Sequence, residues 1–163
     1  GITVNSSNGR GGEIRMRGIE LESRTKIGPV QATLAFTRLN SEITKANDGT
    51  EGNRSYDTPE NMASLWLDYT FENGALDGLT LGGGVRHWSG YWGDNGNTAW
   101  NNGHTLVDLA ASYDFGARYP DLRGVSLDLN VTNLGDKRIT SCSEYGCEFG
   151  DERVASATLR YKW

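Results

Sequence analysis

Residues able to do chemistry are few in this sequence, and most of them are aromatic. His87 and His104 have no acid or nucleophile at a recognisable spacing, and neither G-x-S-x-G nor H-E-x-x-H occurs, so catalysis has little support. Asp48, Asp57 and Asp94 lie in Asn/Gly-rich stretches that could bind Ca²⁺. No twelve-residue calcium loop surrounds them, and they read as solvated turn residues. Cys142 and Cys147 stand in S-C-S-E-Y-G-C, with no second cysteine pair and both histidines far away, so zinc is not implied. A small disulfide-closed loop in an oxidising compartment fits them better; two reduced structural thiols are the alternative. Trp88, Tyr91, Trp92 and Trp100 crowd one polar stretch, and Tyr145 and Phe149 occupy another. Aromatic surfaces suit a bulky, partly apolar ligand. No catalytic residue, metal or cofactor is assigned.

The elements that must position these residues are strands. The chain closes on V-A-S-A-T-L-R-Y-K-W, where Ala155, Ala157, Leu159, Tyr161 and Trp163 alternate with Ser156, Thr158, Arg160 and Lys162. A period of two gives a strand with one apolar and one polar face. The same alternation recurs over 13–26, 30–43, 63–72, 79–88, 105–115 and 125–132, making about seven strands in all. Ile14 and Met16 break parity with Ile19 and Leu21, which places a bulge near Gly18. Thr58-Pro59-Glu60 resembles a helix start, but Ala63, Leu65, Leu67, Tyr69 and Phe71 alternate with polar neighbours, so the segment is a strand. Residues 1–12 are a polar, Gly-rich lead-in that could be the tail of an earlier strand.

Composition narrows the class. The 163 residues fit one domain, and 22 glycines against 3 prolines fit a β-rich chain with many turns. At 36% hydrophobic residues, with no apolar run near 18, transmembrane helices are excluded. A transmembrane barrel is not, because alternation halves the apparent hydrophobicity of each span. The net charge of −5 argues against nucleic acid. With neither an initiator Met nor a signal peptide, the chain reads as a processed product or a piece of something longer.

Two regularities favour the barrel. Connections alternate between about three, six and eight residues and about sixteen, sixteen and eighteen, the latter at 45–60, 89–104 and 134–151. Outer-membrane barrels pair brief periplasmic turns with extended external loops in this way. Each polar face also carries an isolated mid-strand charge (Asp68, Arg86, Asp108, Asp128), which a wet lumen accepts and a dry core does not. Tyr69, Phe71, Tyr113, Phe115, Tyr161 and Trp163 fit an interfacial aromatic girdle. The competing architecture is a secreted β-sandwich whose aromatic loops grip a glycan or another surface.

The series N-M-A-S-L-W-L-D-Y-T-F, G-L-T-L-G-G-G-V-R and T-L-V-D-L-A-A-S-Y-D-F resembles consecutive strands of TonB-dependent siderophore receptors. So do N-V-T-N-L-G-D-K-R, the C-x4-C loop and the closing R-Y-K-W, and the nearest likeness is to the ferrichrome-type, hydroxamate branch. The likeness runs in order from about Glu13 to Trp163; Gly135 departs from it, standing where the family has an aromatic in N-L-F-D. It implies an all-β, antiparallel transmembrane barrel segment, the C-terminal portion of a larger barrel that an N-terminal plug closes. Residues 1–163 would carry no plug and could not transport alone. Seven antiparallel strands could not close by themselves, since first and last would run the same way. The implied partners are a ferric siderophore, TonB acting through the missing plug, and outer-membrane lipid, in the bacterial outer membrane. Trp88, Tyr91, Trp92, Trp100, Tyr145 and Phe149 would then be the ligand contacts, with the alternative that they belong to the girdle.

Overall fold

Alternating sequences of this kind pair into a sheet whose two faces meet different surroundings, and the chain forms one such sheet. The computed structural model describes residues 2–8 and 12–163, the first of these by backbone alone. Strands run β1 (Ile2–Asn8), β2 (Gly12–Ile27), β3 (Val30–Lys45), β4 (Asn61–Thr70), β5 (Leu79–Trp88), β6 (Tyr91–Trp92), β7 (Trp100–Asn101), β8 (His104–Asp114), β9 (Val125–Thr132), β10 (Thr140–Ser143), β11 (Gly146–Phe149) and β12 (Val154–Tyr161). Eight of them form an antiparallel sheet in the order β1-β2-β3-β4-β5-β8-β9-β12. The lead-in is therefore an eighth strand, and the odd-number argument against closure does not apply. The sheet is open all the same, with β1 and β12 at opposite edges.

Register shows how the faces separate. Crossing the sheet at one height, Ala32, Leu67, Gly83, Leu109, Val131 and Ala155 are successive partners. One residue along, Asp68, Gly82, Ala110, Asn130 and Ser156 are partners on the other face. Among the described residues no second sheet covers the apolar side: Leu67, Leu109 and Leu159 remain 46%, 43% and 70% exposed, and Leu127 is half-buried. Among the described residues only Ile43 and Leu106 are buried apolar side chains. The accessible surface is 11197 Å², against roughly 8,000 Å² for a globular chain of this mass. A sandwich would bury those leucines between layers, so the architecture is a barrel wall.

Both rims of the apolar belt are marked. At the short-turn end Tyr69–Phe71 and Tyr113–Phe115 make edge-to-face pairs at 4.8 and 4.9 Å, and Tyr161–Trp163 lie 6.3 Å apart. These are the three descending strands that finish in aromatic-x-aromatic, as the girdle reading requires. At the other end Arg38, facing the apolar side, pairs with Glu60 at 3.2 Å.

Several local expectations shift. The bulge lies between Glu13 and Ile14, not at Gly18, through which β2 runs without interruption. Ile14 and Met16 change character because they meet Ile43 and Ser41 on the polar face, where both partners are buried and Gly52 and Asn53 of the first loop bond back to Ile43. The mid-strand charges are also not isolated. Arg86 grips Asp108 through Nε and through Nη2 at 3.0 Å, Asp128 pairs with Arg160 at 3.0 Å, and Asp68 accepts the Trp66 indole N–H at 2.6 Å. Gly82 and Gly84 give that indole room: a Cβ on Gly82 would lie 2.8 Å from the ring, and one on Gly84 would collide with it. Gly135 has open space around it. The turn after β9 is closed by Asn133, whose side chain accepts from Lys137 N–H and donates to the Lys137 and Asp151 carbonyls.

Candidate functional site

The long connections are the chemically distinctive end of the sheet, and they are built rather than loose. Residues 89–103 fold back as the two-strand pair β6–β7, with Tyr91 opposite Asn101 and Trp92 opposite Trp100. Asp94 organises its tip, accepting from Thr98 N–H at 2.8 Å, Thr98 hydroxyl at 2.9 Å and Ala99 N–H at 2.7 Å. Those donors, Ala99 first, hold its carboxyl below the ordinary carboxylate range. Asp94 is 8% exposed, so it is a buried organiser and not a solvated turn residue. Asp48 does stay at the surface, where it accepts from Thr50 N–H and hydroxyl.

Residues 139–150 form a second small hairpin, β10–β11, in which Cys142 and Cys147 are direct partners joined by a disulfide. The free-thiol alternative falls. Tyr145 stands at its tip, 92% exposed, and Phe149 at its foot, 83% exposed. The Glu144 carboxylate beside the Tyr145 phenol pushes its titration above the usual range.

Two asparagines join these pieces. Asn101, 3% exposed, accepts from Cys142 N–H at 2.6 Å and donates to the Cys142 carbonyl at 2.9 Å, bracketing both polar groups of one peptide residue. The Tyr91 hydroxyl adds a 2.7 Å hydrogen bond with Ser141. Gly93 lets the hairpins meet, since a Cβ there would collide with the Cys142 carbonyl. Asn97, at φ 55°, does the same work on the other side: it accepts from Arg54 N–H at 3.0 Å and donates to the Arg54 carbonyl at 2.9 Å. Asn53 donates to the Asn95 carbonyl at 2.8 Å, and Asp57 N–H donates to the Trp92 carbonyl at 2.8 Å. Glu60 anchors the first loop through Arg54 at 2.8 Å, and that guanidinium, with Arg38, keeps its carboxyl below the ordinary range.

The six aromatics expected at the site are thus not one cluster. Trp92 and Trp100 pack edge-to-face at 4.9 Å on one hairpin, and Tyr145 and Phe149 sit on the other. Tyr91 faces a hollow of about 190 Å³ shared by all three loops and lined by Tyr56, Asp57, Ser141, Ser143 and Glu148. Phe149 borders a separate hollow of about 230 Å³ with Arg138 and Glu152. Trp88 lies apart, on the polar face of β5, stacked on His104 at 4.9 Å with the Arg86 guanidinium 5.4 Å from its ring. Tyr56, Asn97 and Asn101 were not singled out from sequence. Tyr56 could have been, as an aromatic in a polar loop; the asparagines carry no such signal.

Comparison with known proteins agrees with this geometry. Residues 1–134 match the model of the TonB dependent receptor-like β-barrel family. The chain is 41% identical, over 93% of its length, to the ferrichrome outer membrane transporter/phage receptor of Escherichia coli, and 39% identical, over 87%, to the ferrioxamine B receptor of Salmonella typhimurium. It spans 20% of the length of each of these relatives. The ferric preacinetobactin receptor BauA of Acinetobacter baumannii superposes with a TM-score of 0.80 at 27% identity, over 92% of this chain and 22% of that one. These relatives are named as transporters and receptors, not enzymes. An open antiparallel wall, apolar outside, ion-paired inside and crowned by bonded loops, together with these matches, places the chain in the family of TonB-dependent receptor β-barrels.

Proposed function

We propose that this chain forms part of the wall and outer mouth of an outer-membrane receptor that takes up ferric siderophores of the hydroxamate type, driven by TonB. In this reading residues 1–163 are a portion of a longer barrel, and TonB acts through a plug segment elsewhere in that chain. The observation that carries it is the two-faced single sheet: lipid meets Leu67, Leu109 and Leu159, and water meets the Arg86–Asp108 and Arg160–Asp128 pairs. The kinship with ferrichrome and ferrioxamine B receptors supplies the ligand class. Tyr91, Trp92, Trp100, Tyr145 and Phe149 offer aromatic surface from the outer loops, and Trp88 from the wall below. A bulky chelate whose three hydroxamates cancel the charge on the iron is held by such stacking surfaces together with tyrosine hydroxyls. The test uses the full-length chain. Ferrichrome and ferrioxamine B should quench its tryptophan fluorescence with Kd of about 1 µM or tighter. Iron uptake from the same chelate should vanish in cells lacking TonB. Failure to bind any ferric hydroxamate, or uptake independent of TonB, contradicts the proposal.

A further inference from the structure

We infer that Asn97 and Asn101 are positioning residues that lock the three external loops into one rigid body. The inference deepens the functional reading above, because the body so formed carries Tyr56, Tyr91, Trp92, Trp100 and Tyr145. Surface loops are ordinarily more mobile than the elements they connect. Here the central hairpin, 89–103, is bonded on both flanks by the same device. A primary amide offers one acceptor and two donors, enough to satisfy the N–H and the C=O of a single residue as a strand neighbour would. Asn101 does this to Cys142 at 2.6 and 2.9 Å, and Asn97 does it to Arg54 at 3.0 and 2.9 Å. The two brackets are four residues apart on one hairpin whose tip is set by buried Asp94, so displacement of one outer loop is transmitted to the other. The disulfide stiffens the far side, since Cys142 is both the bracketed residue and half of the bridge. The 190 Å³ hollow lies where all three loops meet, and its walls keep their spacing only while both brackets hold.

Hydrogen exchange on the full-length chain in detergent tests this without any ligand, so its outcome is independent of whether a siderophore binds. Asn101→Ala should speed amide exchange about tenfold or more in 140–149, and by a comparable factor in 53–57, which Asn101 does not touch. Asn97→Ala should produce the reciprocal pattern, while 107–113 in the wall stays unchanged in both. Should Asn101→Ala fail to fold, Tyr91→Phe, which deletes only the hydroxyl contact to Ser141, should give the same two-loop pattern at smaller amplitude. Exchange that rises only in the loop whose bracket was cut overturns the inference.

Discussion

Arginine in place of Leu109 tests the two-faced wall midway along the apolar face of a central strand. Leu109 lies four residues above Tyr113 of the girdle on β8. At about 3.4 Å per residue that is about 14 Å along the strand, and a tilt near 40° brings the depth to about 10 Å. Half of an apolar band about 25 Å tall is about 12 Å, so Leu109 sits near the midplane. A guanidinium at that depth costs about 2–4 kcal/mol, falling to about 0–1 kcal/mol at the rim. Leu109→Arg should therefore lower the folding free energy of the full-length chain in phospholipid vesicles by about 2–4 kcal/mol in a urea titration. Thr105→Arg, on the same face near the upper rim, should cost under about 1 kcal/mol. Asn130→Arg, one row from Leu109 but facing inward and exposed, should cost equally little. If Leu109→Arg and Asn130→Arg proved equally mild, the apolar side would not lie in hydrocarbon and the reasoning would fail.

Gly84→Val should destabilise the wall by about 1–3 kcal/mol, because its side chain would drive into the Trp66 ring; a drop in thermal midpoint measures it, and Gly135→Val, placed in open space, should change nothing. The Asp94 carboxyl titrates below its unfolded value, so its contribution is complete above that value and is lost as pH falls through the folded one. Protection of the amides in 94–100, taken as the ratio of intrinsic to observed exchange rate at each pH, should fall below about pH 4, and Asp94→Asn should flatten that dependence. Reducing the Cys142–Cys147 bridge, which closes a loop of a few residues, should ease opening of that hairpin by about 2 kcal/mol. Tryptic cutting at Arg138 and Arg153 should speed up, with the melting of the wall unaltered.

The wall was legible in the sequence because a strand with two solvents writes its faces into alternate residues. Leu65, Leu67 and Tyr69 against Trp66 and Asp68 needed no further information. The triple glycine of β5 carried no such message until the structure placed the Trp66 ring against Gly82 and Gly84. The girdle followed from aromatic-x-aromatic at three strand ends. What escaped lacks a period. Residues 2–8 are too polar to show alternation, and β1 is fixed by its pairing to β2. Ile14 and Met16 read as a break because they lie on the polar face, where their partners Ile43 and Ser41 become buried only once the chain has folded. The loop hairpins are held by Asn97 and Asn101 reaching residues 43 and 41 positions away, and an asparagine that makes such a bond looks like any other turn asparagine. Asp94 was misjudged for the same reason: its three donors lie within five residues, but its burial comes from the rest of the chain.

The central claim is that hydrocarbon bathes one face of this sheet and water the other. Spin labels placed singly at positions 107 to 112 of the full-length chain in lipid vesicles measure it directly, through collision with oxygen, which concentrates in lipid, and with a water-soluble nickel complex. Oxygen accessibility should peak at 107, 109 and 111 and nickel accessibility at 110 and 112, the two reagents out of phase, with position 108 low for both because Asp108 is buried against Arg86. Profiles that rise and fall together, or labels at 107, 109 and 111 shielded from both reagents, would contradict the account.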